Sequence, residues 1–327
     1  MLQLERGISM ASRLLSKKEK PVRLGSSRSW GSYLRENYDL YLFLLPAIAV
    51  VIVFAYVPMY GVQLAFRNFS ARAGIVGSPW VGWDNFTRFF NSPFAWQIIR
   101  NTLHLSIISL IVGFPIPIIL ALLLNSVPSV KFRKTVQSVT YAPNFISVVV
   151  LSGMVLLFLS PSNGIVNMLL GQLGVEPINF MAQPQMFANI WLWSGIWASM
   201  GFSSIIYFAV LSTISDELHE AAIIDGASKF QRVLHIDIPG ILPTTTILLI
   251  LAFGSLVGVG FERVFLLQND INLSTSEVIS TYVYRMGLLR NDIGFATAIG
   301  LMNSAINAVL LIAVNWIVRK VSDYSLF

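Results

Sequence analysis

Apolar residues run along this chain in long blocks, not in one-sided stripes. Six stretches, at residues 40–66, 100–125, 137–160, 185–214, 240–261 and 293–318, are almost continuously apolar. At about 1.5 Å per helical residue, each is long enough for roughly 30 Å of hydrocarbon. A helix that is apolar all round suits lipid, and the bilayer core admits only helices and closed barrels. The pattern therefore predicts an all-α polytopic membrane protein with six transmembrane helices. Polar segments separate the blocks. Of the 22 Lys and Arg, 15 fall in the N-terminal segment, 126–136, 215–239 and the C-terminal tail. Six fall in the alternate set (67–99, 161–184 and 262–292), and Arg100 sits at a boundary. The positive-inside rule makes the first set cytoplasmic, and an even number of spans puts both termini on that side.

Within the spans, Pro46, Pro58 and the run Phe114-Pro115-Ile116-Pro117 predict bends. Gly254 and Gly258 have a spacing that permits close helix contact. Phe86, Phe89 and Phe90 fall at i, i+3, i+4 and predict one aromatic helix face, either interfacial or a contact surface for an external partner. In the fourth span Trp193 and Trp197 are i, i+4 neighbours, while Trp191 points elsewhere. Such a pair either anchors the helix at the interface or offers an aromatic platform to a sugar ring.

Composition narrows the function. The chain is 55% hydrophobic and 12% charged, against about 25% charged residues in a soluble domain. The formal charge of +6 sits beside the spans, as a topology signal does, so no nucleic acid is expected. No cysteine is present, which excludes disulfides, thiolate metal sites and a cysteine nucleophile. There is no G-x-x-x-x-G-K-[ST], H-E-x-x-H or G-x-S-x-G, and the three histidines lack metal spacing. A non-catalytic chain without its own cofactor follows. The predicted spans are nearly free of Asp, Glu, Lys and Arg, which weighs against an ion-driven secondary carrier. Uphill transport would then draw its energy from another subunit. Residues 1–38 contain eight Lys/Arg and no apolar core of signal-peptide length, so they are expected to be a basic cytoplasmic segment next to membrane lipid.

One polar stretch is ordered in detail: Glu220-Ala221-Ala222-Ile223-Ile224-Asp225-Gly226-Ala227, followed by Phe230, Ile236, Ile238, Pro239 and Pro243. Small side chains lie on a short helix, and Asp225-Gly226 offers a turn, because Gly tolerates φ > 0 and Asp bonds its own backbone. A second helix, Ser228 to Ile236, leads to two prolines that should redirect the chain into the membrane. The stretch resembles the EAA loop of ABC import permeases. Pro58-Met59-Tyr60-Gly61, Pro177-Ile178-Asn179-Phe180, Val278 to Arg285 and the Tyr-Ser-Leu-Phe end look like the LplB-type polysaccharide or oligosaccharide permeases of the maltose-type, binding-protein-dependent family.

The resemblance implies a type I ABC importer transmembrane domain in a bacterial cytoplasmic membrane. Its divisions would be 1–38 (basic segment), 39–99 (first helix and external loop), 97–317 (five helices, with the coupling loop at 216–239) and 318–327 (tail). It also implies a second homologous permease subunit, two copies of an ABC ATPase that binds ATP and Mg, an extracytoplasmic solute-binding protein and an oligosaccharide substrate. Glu220, Ala221, Ala222, Asp225, Gly226 and Ala227 would couple to the ATPase, and Asn144, Trp193 and Trp197 are candidates for the substrate pathway. A membrane receptor or scaffold independent of an ATPase, or a secondary sugar carrier, would use the same chain differently.

Overall fold

The computed structural model describes residues 37–321; most of the basic segment 1–38, the last six residues and hence both chain ends lie outside the described residues. Among the described residues the backbone is helical, with one isolated bridge between Arg67 and Trp80 and no strand. The chain divides after Tyr60 into two units. The first unit holds most of α1 (Tyr38–Phe66), whose most apolar window has no buried residue. Phe43 and Phe54 are 84% and 76% exposed, an all-round apolar surface for which lipid is the fitting solvent.

The second unit contains α2 (Asp84–Phe90), α3 (Ala95–Asn125), α4 (Val130–Phe145), α5 (Val148–Phe158), α6 (Ile165–Gln172), α7 (Pro184–Leu211), α8 (Asp216–Ile224), α9 (Lys229–Gly254), α10 (Phe261–Leu267), α11 (Ile279–Tyr284) and α12 (Ile293–Lys320). Five helices, α1, α3, α7, α9 and α12, are long and apolar enough to cross a membrane; counting α4 and α5 as one broken span makes six.

The stretch 137–160 is not a straight span, because α4 and α5 meet at 102°. Pro143 lies in a tight 3₁₀ turn, Ile146 is extended at φ −80° and ψ 131°, and the Ser147 hydroxyl caps α5 by accepting from Val150 N at 3.3 Å. Proline removes a donor there and serine supplies a new helix start, so the helix ends and begins again.

Elsewhere the prolines are absorbed. Val233–Asp237 is a π-turn immediately before the Ile238-Pro239 pair, and α9 runs through it from Lys229. The same arrangement occurs at Ile52–Tyr56 before Pro58 and at Ser109–Gly113 before Pro115. A proline ring clashes with the carbonyl four residues back, and one extra residue in the preceding turn moves that carbonyl away. Pro239 and Pro243 thus do not redirect the chain.

At its other end α9 stops at Gly254, short of residue 261. Each glycine costs about 1 kcal/mol relative to alanine inside a helix, and Gly254, Gly258 and Gly260 come close together. Gly254 and Gly258 therefore share no helix face; Gly254 instead lies against the Leu311 side chain of α12. The unwound backbone is bonded by side chains from three helices. Asn307 Oδ1 accepts from Val257 N at 3.0 Å, Ser280 Oγ donates to Val259 O at 3.2 Å, and Ser106 Oγ donates to Leu256 O. Irregular backbone persists in a membrane protein when protein groups satisfy it in this way.

α7 is the centre of packing. It lies against the second half of α3, α4 and α9. Trp191, Leu192 and Ile196 form one core with Leu105, Val259 and Val264, and Tyr207 and Leu211 form another with Ala121 and Ile241. Gly201 abuts the Thr140 carbonyl of α4, where any Cβ would collide. On α2 the predicted single aromatic face is divided: Phe89 is fully buried with Tyr282 and Phe295, Phe86 clusters with Phe66 and Trp83, and Phe90 is 59% exposed.

Candidate functional site

The ordered polar stretch forms a helical hairpin. Ser215 caps α8 by accepting from Glu217 N at 3.2 Å, and Asp216 and Glu217 lie in its first turn, at the positive end of the helix dipole. At the other end Gly226 has φ +81°. Ala227 N donates to Ala222 O at 2.8 Å, and Gly226 N to Ile223 O at 3.0 Å. These two bonds make a Schellman closure that needs a residue in the left-handed region at Gly226. The backbone makes this turn without a hydrogen bond from the Asp225 side chain. Ser228 and Gln231 then form a reciprocal capping box, at 2.8 and 3.3 Å, that starts α9.

His219 of α8 lies 3.3 Å from Asp237 of α9, across the hairpin's two arms. Glu220, Ala221, Asp225 and Gly226 are exposed, while Ala222 and Ala227 are half-buried. Around them Ile224 is 85% exposed and Phe230 74%, with Leu218 and Ile223 more than half exposed. The hairpin thus presents an apolar surface with a polar edge.

A second feature lies where α9 unwinds. Ser106, Ser109, Trp191, Gly195, Ser199, Ser255, Gly258 and Arg263, with apolar neighbours, enclose a cavity of about 370 Å³. A second cavity, of about 570 Å³, shares Gly195, Ser199, Gly260 and Arg263 and adds Asn144, Glu262 and the α4–α5 bend. Arg263 lines both. Its guanidinium carbon lies 4.6 Å from the Trp191 ring centre, and its Nε is buried without a hydrogen-bond partner. Arg263 lies outside the long apolar helices, and burial lowers its pKa to about 10, which leaves it charged at neutral pH.

The sequence-derived residues separate. Asn144 is exposed at the α4–α5 bend and lines the larger cavity beside Arg263. Trp193 lies in a different, apolar groove with Val155, Phe158, Phe180 and Ile190. Trp197 is 38% exposed and lines neither cavity around Arg263. The indole facing those cavities is Trp191, which is 4% exposed. Helical spacing pairs Trp193 with Trp197 but carries no information about which face turns inward. From the sequence, Glu262 and Arg263 are expected to pair with each other or with neighbours; among the described residues Arg263 forms no ion pair.

Residues 105–323 match the model of the family described as the binding-protein-dependent transport system inner membrane component. The chain belongs to that family. It is 37% identical to the protein LplB of Bacillus subtilis (strain 168), over 95% of this chain and 98% of that one. It is 36% identical to the polygalacturonan/rhamnogalacturonan transport system permease protein YteP of the same organism, over 96% of each chain. It also superposes with a TM-score of 0.83 and 40% identity on a chain of a bacterial ABC transporter that imports the acidic polysaccharide alginate, covering 88% of this chain and 98% of that one. The second of these relatives is named a permease of a polysaccharide transport system, and the solved chain shares this chain's fold.

Proposed function

We propose that this chain is one permease subunit of an ATP-driven importer that moves a complex sugar, an oligosaccharide or polysaccharide fragment, into the cytoplasm. The observation that carries the coupling part of the reading is the hairpin at Asp216–Arg232, closed by local hydrogen bonds at its turn and presenting Leu218, Ile223, Ile224 and Phe230 as an exposed apolar patch with a polar edge. It fits the role of a ball entering a socket on a separate ATPase. Glu220, Ala221, Ala222, Asp225, Gly226 and Ala227 transmit force there and perform no chemistry. ATP and Mg belong to that partner, present in two copies. A second permease completes the pathway, and an extracytoplasmic binding protein delivers the sugar. In this arrangement both termini and the hairpin face the cytoplasm, and alternating access exposes the cavities around Arg263 first outward and then inward.

The test is purification of the tagged chain from native membranes, with and without Ile224→Asp, and identification of the proteins that accompany it. A second permease and an ATPase should accompany the wild type, and Ile224→Asp should lose the ATPase while keeping the permease. Retention of the ATPase together with normal uptake would refute the hairpin as the coupling surface. Recovery of neither partner, with uptake that follows an ion gradient, would favour the secondary carrier.

A further inference from the structure

We propose that Arg263 is the carboxylate-binding residue of the sugar pathway, so that the transported oligosaccharide carries uronic acid units. The inference rests on the permease reading and names the substrate class of its cavities.

Three other arginines are engaged. Arg67 donates to Val76 O at 2.9 Å and Ser78 O at 2.7 Å, Arg88 pairs with Asp292, and Arg285 pairs with Glu277. Arg263 differs. Among the described residues no carboxylate pairs with it and no protein group accepts a hydrogen bond from it; Glu262 lines the larger cavity but forms no ion pair with it. Its Nε is removed from water with no acceptor, while its other nitrogens open onto the two cavities, where an entering anion would complete the cation. The surroundings hold this one in place. Trp191 receives its face, and Gly195 leaves room that any side chain would fill, since even a Cβ there would collide with the guanidinium. A group fixed on one face by an indole keeps its planar fork of donors for a carboxylate, which it can bind through two parallel hydrogen bonds. Ser109, Ser199 and Asn144 line the same cavities and suit the hydroxyls of a sugar. A neutral sugar offers nothing that completes the cation; a uronate offers one carboxylate per ring.

The test uses the whole transporter, with its own ATPase and binding protein, in proteoliposomes. Probes are short oligomers of galacturonate and of mannuronate, each as free acid and as methyl ester, with a neutral xylo-oligosaccharide of equal length. Wild type and the variants Arg263→Gln and Arg263→Lys are compared. The ester removes the charge from the sugar and Arg263→Gln removes it from the protein, so selection by the binding protein cancels between the two enzymes. The wild-type ratio of free-acid to ester uptake should exceed that of Arg263→Gln by at least about 10-fold. Arg263→Lys, which keeps the charge but loses the fork, should restore about a third of the difference. Assembly with the ATPase should be unchanged in all three. Equal acid-to-ester ratios in wild type and Arg263→Gln would overturn the assignment, as would preferred uptake of the neutral oligosaccharide, and both leave the permease reading intact. Failure of the wild type to assemble with an ATPase or to carry any sugar would remove the permease reading and this inference with it.

Discussion

The hairpin and the cavities around Arg263 differ in where their determinants lie. In the hairpin every fixing contact but one is local. Ser215 caps Glu217, Gly226 closes on Ile223, Ala227 closes on Ala222, and Ser228 exchanges bonds with Gln231. The His219–Asp237 pair is the longest link, and it joins consecutive helices. The cavities have the opposite construction. Trp191 lies on α7, Ser106 on α3, Asn144 at the α4–α5 bend and Arg263 on α10. Local closure makes an autonomous knob that can be presented to a partner. Long-range closure makes a volume whose shape changes when helices move, as an alternating-access pathway requires.

Substitutions should separate the two regions, and the largest effect belongs to the assembled one. Gly201→Ala places a methyl on the Thr140 carbonyl and forces α7 from α4, so we expect a loss of about 2–3 kcal/mol of stability and a lower yield of folded protein, read by thermal unfolding in detergent. A variant that unfolds like wild type would show that this contact relaxes freely. Next comes Ile224→Asp, which should abolish ATPase capture and reduce uptake by about 10-fold or more while leaving thermal unfolding within about 0.5 kcal/mol of wild type, because the side chain is exposed. Destabilisation comparable to Gly201→Ala would contradict the hairpin's autonomy. Gly226→Ala puts a Cβ at φ +81° and should loosen the hairpin by about 1 kcal/mol, seen as faster proteolysis between residues 220 and 230 with the rest of the chain unaffected.

The smallest effect concerns the contact of α3 with the segment before α11, where Glu277 lies outside the long apolar helices. Asn101 Nδ2 donates to Ser274 O and Glu277 O at 3.0 and 3.1 Å, the Thr102 hydroxyl accepts from Ile279 N at 2.9 Å, and Glu277 pairs with Arg285. Burial raises the Glu277 carboxyl above its ordinary value of 4.5, and Arg285 offsets this in part. A folded-state pKa above the unfolded value means that the stabilising effect of the bound proton is full below about 4.5 and is lost as pH rises through the folded value. Wild-type stability should therefore fall relative to Glu277→Gln as pH is raised from about 4 to about 7. A wild-type advantage that grows with pH would mean that Arg285 outweighs burial.

Much of the fold was legible because membrane solvation acts on side chains that can be read one by one. A block such as 293–318 is apolar wherever its neighbours are, and it appears as α12, Ile293–Lys320. The failures are failures of backbone path. Hydropathy over 137–160 cannot register that Pro143 ends one helix and Ser147 starts another. Nor does it register that a π-turn lets α9 continue through Pro239, or that three glycines unwind the chain after Gly254. At the hairpin the turn glycine was legible, while the role assigned to the Asp225 side chain was taken by the backbone.

By itself the sequence determined the amounts of apolar and polar surface, the hairpin with its left-handed glycine, and the family motif, since each depends on residues within a few positions of one another. Only the tertiary structure decided that Trp191 and not Trp193 or Trp197 faces the cavities around Arg263, that Asn144 shares a cavity with Arg263, and that Arg263 has no acidic partner among the described residues. Helical periodicity defines faces only relative to one another. Which face turns inward, and which charge is left unpaired, follow from how distant helices exclude one another's volume.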